Sequence, residues 1–219
     1  MSLRIESFGQ AAVGETHAAW RSAIEEWAGL MDAYICIHSD DPPPFAYSER
    51  TNVGLLSGGI LRASADNVTL EEYAVGKDQG KGRADLWAIV GAYSYLVEAK
   101  HGWSSCQNGL DTFEAINLAA SSGTEPLRDV LDASIEQARS YDDQPEFHVA
   151  AVFVVPYITA GQTTSFDEAW ESVEAGELAS GSHSGLVAWY RQEQQDVDVD
   201  GDYHRYPGVV LVLSFRRNR

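Results

Sequence analysis

The run Arg83-Ala84-Asp85-Leu86-Trp87-Ala88-Ile89-Val90-Gly91-Ala92-Tyr93-Ser94-Tyr95-Leu96-Val97-Glu98-Ala99-Lys100 decides how the chain is read. Two stretches rich in apolar and aromatic residues flank Gly91-Ala92, and strand formers around a two-residue glycine turn read as an antiparallel hairpin. Glycine suits the first central position because that position needs a positive φ. The register then pairs Val90 with Tyr93 and, counted outward, Leu86 with Val97 and Asp85 with Glu98. Side chains alternate along a strand, so the two carboxylates share one face and Lys100 points to it as well. Like charges directly opposite each other destabilise a strand pair. A divalent cation, Mg²⁺ or Mn²⁺, bridging Asp85 and Glu98 offsets them, with Lys100 placed to bind or deprotonate a water or to steady a phosphate. The plainer alternative is a solvated ladder of mixed charges that includes Arg83. Against it, Leu86, Trp87, Ile89, Leu96 and Val97 are apolar enough for these strands to be covered on both faces.

Upstream, Val68 to Val75 reads as a third strand of the same meander, joined to the hairpin by the glycine-rich segment Gly76 to Gly82. Before it, Ser48 is a candidate N-cap for a helix carrying Glu49, Val53, Leu56 and Ile60 on one stripe. Gly58 and Gly59 weaken that helix by about 1 kcal/mol each relative to alanine. Asp40-Asp41-Pro42-Pro43-Pro44 is a rigid connector, since proline lacks the amide donor and restricts its predecessor. Further upstream, Trp20, Ile24, Trp27, Met31 and Tyr34 recur at helical spacing from His17 to Tyr34, with Arg21, Glu25 and Asp32 facing water.

Downstream, Thr124-Glu125-Pro126 opens a helix whose buried face is Leu127, Val130, Leu131, Ile135 and Ala138. His148 to Ile158 has the length and β-branched content of a buried strand. Phe166 to Ala175 reads as a short acidic helix, and Gly185 to Tyr190 and Gly208 to Phe215 as strands. The acidic segment Asp196 to Asp202 is expected to be a loop.

Helix, three-strand meander, helix, strand is an order that resembles the PD-(D/E)xK superfamily, the restriction-endonuclease-like nucleases. The resemblance covers about residues 48–158, roughly half of a 219-residue chain, with an extra N-terminal helix and C-terminal strands outside it. It implies a single α/β domain over 1–219 with a restriction-endonuclease-like core. It also implies Asp85 as the metal-binding acid and Glu98-Ala99-Lys100 as the E-x-K element, the Ala99 carbonyl adding a ligand. Many members carry a glutamate on the first helix; Glu49 is the matching position favoured here, with Glu15, Glu26 and Glu72 as rivals. Ala84 stands where the written motif has proline. Gln137 and Tyr141, one helical turn apart, look like the Q-x-x-x-Y element of RecB-type exonucleases. The activity implied is hydrolysis of DNA phosphodiester bonds with Mg²⁺ or Mn²⁺. Arg83, Lys81, His101, Gln137 and Tyr141 are the candidate substrate contacts.

The net charge of -18 opposes any such partner, because an acidic body repels phosphate. It supports two rivals, a catalytically silent binding or assembly module of the same fold and an acidic protein that mimics DNA. The charge is uneven: Lys77, Lys81 and Arg83 cluster, and Arg216, Arg217 and Arg219 close the chain. A composition 44% hydrophobic supports one sizeable core. Without an apolar run long enough to cross a bilayer, or a signal-peptide block, the expected location is the cytoplasm. Cys36 and Cys106 are expected as reduced thiols packed in the interior. A homodimer or a protein partner is compatible with all of this.

Other motifs carry less. Asp196-Val197-Asp198-Val199-Asp200-Gly201-Asp202 opens like a calcium loop, yet Pro207 stands where the closing acid belongs. The six histidines show no pair at metal-ligand spacing, and no nucleophile elbow lies nearby. Gly80-Lys81-Gly82-Arg83 lacks the spacing of a phosphate loop and reads as a basic hairpin tip. Trp189, Tyr190, Tyr203 and Tyr206 are more readily core than base-stacking residues.

Overall fold

The structure is a computed structural model that describes residues 2–9, 14–39, 41–74, 82–106, 113–118, 123–141, 144–159, 163–175, 183–192, 196–199 and 202–218. In chain order these form β1 (Ser2–Phe8), α1 (Gly14–Ile37), a 3₁₀ turn (Pro44–Ala46), α2 (Glu49–Ala63), β2 (Val68–Ala74), β3 (Arg83–Val90) and β4 (Tyr93–Ser105). There follow β5 (Ile116–Leu118), β6 (Thr124–Glu125), α3 (Leu127–Ser140), β7 (Phe147–Thr159), α4 (Phe166–Ala175), β8 (Gly185–Arg191), β9 (Asp196–Val199), β10 (Asp202–Arg205) and β11 (Gly208–Arg217). The class is mixed α/β. One large sheet runs β1-β8-β11-β7-β4-β3-β2. Its β4–β7 pair is parallel, Tyr95 to Ser105 beside Phe147 to Tyr157, and the other neighbours are antiparallel.

The sheet is covered on both faces, which explains why β7 reads as an unbroken apolar run. On one face, Trp20, Ile24, Trp27 and Met31 of α1 and Val53, Leu56 and Ile60 of α2 pack on Leu86, Ala88, Val90, Tyr95 and Val97. On the other, Val130, Leu131 and Ile135 of α3 and Ala169, Trp170 and Val173 of α4 meet Val152, Val154, Val187, Val210 and Val212. Each such side chain contributes about 1.5–3 kcal/mol relative to exposure. Helix α2 starts where expected, with the Ser48 hydroxyl accepting from the Thr51 amide at 3.2 Å, a cap worth about 1 kcal/mol. Gly59, a weakness in an isolated helix, is what lets α2 touch α1. A Cβ there would stand 2.6 Å from the Ala23 carbonyl oxygen and 2.7 Å from the Trp27 nitrogen.

The meander has the expected register, Val90 opposite Tyr93 through Leu86 opposite Val97, and Gly91 turns it with φ +63. Four features depart from the sequence reading. The acidic stretch expected as a loop is a strand pair, β9 against β10, with Asp202 opposite Val199; residues 200 and 201 lie outside the described residues. Strand β1 was not anticipated, because Ser2–Phe8 is a largely exposed edge whose polar residues blur the alternation. Strands β5 and β6 are too short for periodicity to register, and Thr124–Glu125 belongs to β6 while Pro126 caps α3. Cys106 is buried, but Cys36 is exposed, and both are free thiols. No helix among the described residues is long and apolar enough to cross a membrane.

Candidate active site

Strand β4 has two partners on its β3 side, and they leave a gap. The β3 ladder ends at Leu86–Val97, and β5 begins pairing at Gly102 and Trp103. Between them the backbone of Glu98 to His101 has no strand beside it, and a buried amide without a partner is costly. Side chains fill the need. The Asp85 carboxylate accepts from the Ala99 N–H at 2.7 Å, the Lys100 ammonium donates to the Ala99 carbonyl at 2.9 Å, and Glu49 accepts from the His101 N–H at 3.1 Å. Asp85 therefore does not continue the ladder opposite Glu98, as the simple count has it. Strand β3 leaves β4 at that residue, and the Asp85 side chain does what a backbone carbonyl would have done.

Glu98 lies beside this gap at 2% exposure. Lys100 donates to its Oε1 at 2.7 Å, and the Tyr141 hydroxyl to its Oε2 at 3.1 Å. Gln137 in turn donates to the Tyr141 oxygen at 3.1 Å, so the pair of α3 residues reaches the cluster through Glu98. Burial raises the pKa of Glu49, Asp85 and Glu98 above the ordinary carboxylate range. The Asp85 charge pushes Glu49 and Glu98 further up, while Lys100 pulls all three down. Asp85 of β3 is thus coupled to Glu49 of α2 and to Glu98 of β4, with a single ammonium among the three.

A small cleft of about 130 Å³ opens from Asp85 toward Glu49, Arg50, Val53, Glu71 and Glu72. Glu72 has φ +47, a left-handed backbone that is uncommon for a side-chain-bearing residue. Its carboxylate pairs with Arg83 at 3.0 Å and with Arg50. Arg50 and Glu71 escaped the sequence reading; the proximity of Arg50 to Glu49 in sequence was the available signal.

The other candidates fall out as follows. Arg83 is exposed at the mouth, and Tyr141 also donates to its carbonyl at 3.2 Å. His101 turns its ring away from Lys100, as alternation dictates; at 5% exposure it meets the Phe45 carbonyl through Nε2 at 3.1 Å and packs edge-on against Trp103. Only its amide joins the cluster. Lys81 lies outside the described residues, as does the side chain of Glu15. Glu26 pairs with Arg62 at 3.2 Å. One other constellation invites a chemical reading: His183 touches Ser214 Oγ at 2.8 Å and Asp132 at 3.1 Å. Ser214 is 1% exposed within β11, so no substrate carbonyl reaches it, and the chain of hydrogen bonds ties α3 to the sheet.

As drawn together by their own donors, no three His, Cys, Asp or Glu side chains among the described residues form a ready cage for an ion. The donor set nevertheless suits a hard divalent cation: carboxylate oxygens, a carbonyl and a partly desolvated surrounding that leaves excess negative charge. Comparison with known proteins gave no matching family model, no similar curated protein and no similar solved structure.

Proposed function

We propose that the cleft beside Asp85 hydrolyses phosphodiester bonds of DNA with the help of Mg²⁺ or Mn²⁺. Asp85, Glu98 and Glu49 would hold the ion, with the Ala99 carbonyl as a further ligand. When bound, it supplies Lewis-acid polarisation of a phosphoryl oxygen and a more acidic water. Lys100, poised between Glu98 and the Ala99 carbonyl, steadies the water or the charge that grows on the phosphate. Tyr141 and Gln137 hold Glu98 in its rotamer, and Arg83 and Arg50 offer guanidinium groups to neighbouring phosphates once released from Glu72.

The observation that carries this reading is the convergence of three desolvated carboxylates and one ammonium where β4, paired with β7 on one side, has no strand on the other. Burying them costs stability, and such cost concentrates at functional sites. The order α2, β2-β3-β4 meander, α3, then β7 parallel to β4 supports a restriction-endonuclease-like core. A cytoplasmic protein acting on DNA is the reading that fits. The test is cleavage of single- and double-stranded DNA with Mg²⁺ or Mn²⁺: we expect activity in the wild type that chelator abolishes and Asp85→Ala lacks.

A second reading has its own support. Every carboxylate of the cluster already has an internal donor, and the chain carries a net charge of -18. A silent nuclease-like module, or an acidic DNA mimic that binds a basic protein, is consistent with both. Melting temperature separates them: a silent module or mimic shows no rise with added Mg²⁺ or Mn²⁺, whereas a cation that binds the native state raises it by mass action.

A further inference from the structure

Beside Trp103 lies a second cavity, of about 490 Å³. Its walls are aromatic: Trp103 of β4, Tyr157 of β7, Tyr206 just beyond β10 and Tyr47 ahead of α2, with Asn117 of β5 at the rim. The Trp103 and Tyr206 rings stand 5.7 Å apart between centroids and 47° from parallel. Tyr206 is 5% exposed and Tyr47 48% exposed, so the floor is sealed and the mouth open. Among the described residues no charged side chain lines this space.

We infer that this cavity receives an unpaired nucleobase of a nucleic-acid substrate, stacked by Trp103 and the tyrosine rings and read along its edge by Asn117. The inference rests on the nuclease reading for its substrate class. Its size falls in the range of about 300–1,000 Å³ typical of small-ligand sites. Aromatic faces take the π-face of any base, and an asparagine amide offers the donor and acceptor that a base edge complements. An organic cation would be better served by a carboxylate in the lining, and an alkyl chain makes no use of the Asn117 amide.

Placement links the cavity to the carboxylates. Trp103 follows His101 by two residues and shares its face of β4, the face opposite Lys100, so the cavity is nearest the cluster through Glu49 and the His101 amide. Tyr47 lines the cavity and Glu49, two residues on, lines the carboxylate cleft, while the His101 ring lies 4.9 Å from that of Trp103. A base within a duplex cannot enter, since it would first have to leave the stack. The cavity therefore selects single strands or displaced nucleotides.

Saturation-transfer NMR with deoxyadenosine 5′-monophosphate, run in chelator so that neither metal nor cleavage enters, tests this directly. Deoxyribose 5-phosphate and tetramethylammonium serve as comparison probes. The expected result is saturation of the base protons and binding weakened roughly tenfold or more in Tyr47→Ala and in Trp103→Leu, with melting temperature and circular dichroism of the exposed Tyr47→Ala variant unchanged. Asn117→Ala should change the ranking of the four mononucleotides. Equal binding of the sugar phosphate, saturation by tetramethylammonium alone, or nucleotide binding indifferent to both aromatic variants overturns the inference. A chain that cleaves DNA but ignores free bases keeps the nuclease and loses this pocket. One that binds bases through Trp103 but never cleaves keeps the pocket and loses the nuclease.

Discussion

At its turn, the β3–β4 hairpin is closed by backbone: Val90 faces Tyr93, Gly91 takes the positive φ, and the Asn67 side chain accepts from the Gly91 amide at 3.1 Å. Sixteen or so ångströms along, at ~3.3 Å per residue, the same strands part, and Asp85, Lys100 and Glu49 hold the β4 backbone on that side instead. The first end turns its inner face to the core, with Ala88 and Val90 each at 0% exposure, while Gly91 and Ala92 are exposed. The second concentrates charge that the fold has to desolvate. Backbone pairing needs no particular side chain, so the closed end serves stability alone. Side-chain pairing commits charged groups to fixed positions, which is what a reactive site requires.

The largest effect should separate the two ends by activity. Lys100→Arg at the open end keeps a cation beside Glu98 but changes its shape and reach, and is expected to lower the rate of metal-dependent DNA cleavage by about 10²–10⁴-fold, with little loss of melting temperature. Val90→Ala at the closed end should do the reverse, costing on the order of 1–3 kcal/mol in denaturant unfolding while leaving the rate per folded molecule unchanged. Gly91→Val should likewise cost about 1–3 kcal/mol through its forced positive φ, a loss read from the urea midpoint.

A middle-sized effect comes from pH. Burial raises the folded-state pKa of Glu49, Asp85 and Glu98, so the folded chain binds these protons more tightly than the unfolded chain. Their contribution to stability is full below the ordinary carboxylate pKa of about 4 and is lost as pH rises through the raised values. Asp85→Asn keeps an acceptor for the Ala99 amide and removes the charge. We expect it to melt about 2–4 °C above wild type at neutral pH without metal, to lose that advantage in acid, and to be inactive. A variant less stable than wild type at every pH would contradict this view of the open end. Activity in wild type should fall on the acid side at a pH above that of an ordinary carboxylate.

The smallest effect concerns Glu72. Glu72→Gly relieves the left-handed backbone and releases Arg50 and Arg83. Stability should change by less than about 1 kcal/mol, while affinity for a DNA oligonucleotide at low salt rises a few-fold. Affinity equal to wild type would mean that the two arginines do not meet phosphate.

The contrast between the ends also explains what the sequence made legible. The hairpin register followed from one glycine turn and the alternation of Leu86, Ala88 and Val90, since both signals are local. The identities of Asp85, Glu98 and Lys100 were equally visible. Their arrangement was not: counting outward assumed that the ladder continues, whereas β3 diverges after Leu86 because Asp85 offers Ala99 a shorter route to a partner. Nothing local in Ile116–Leu118 announces that β5 resumes pairing at Gly102. Glu49 was chosen by its place on α2, and only the fold brings it to the His101 amide. The aromatic cavity was illegible for the same reason, as Tyr47, Trp103, Asn117 and Tyr206 come from four separate segments.

We propose the open end of this hairpin as a divalent-cation site. Titrating Mn²⁺ against the wild type and Asp85→Asn, with free ion followed by electron paramagnetic resonance, tests it without reference to any substrate. The account predicts saturable binding by the wild type, competition by Mg²⁺, and at least a tenfold loss of affinity in the variant. Identical binding curves for the two proteins, or none for either, would contradict it.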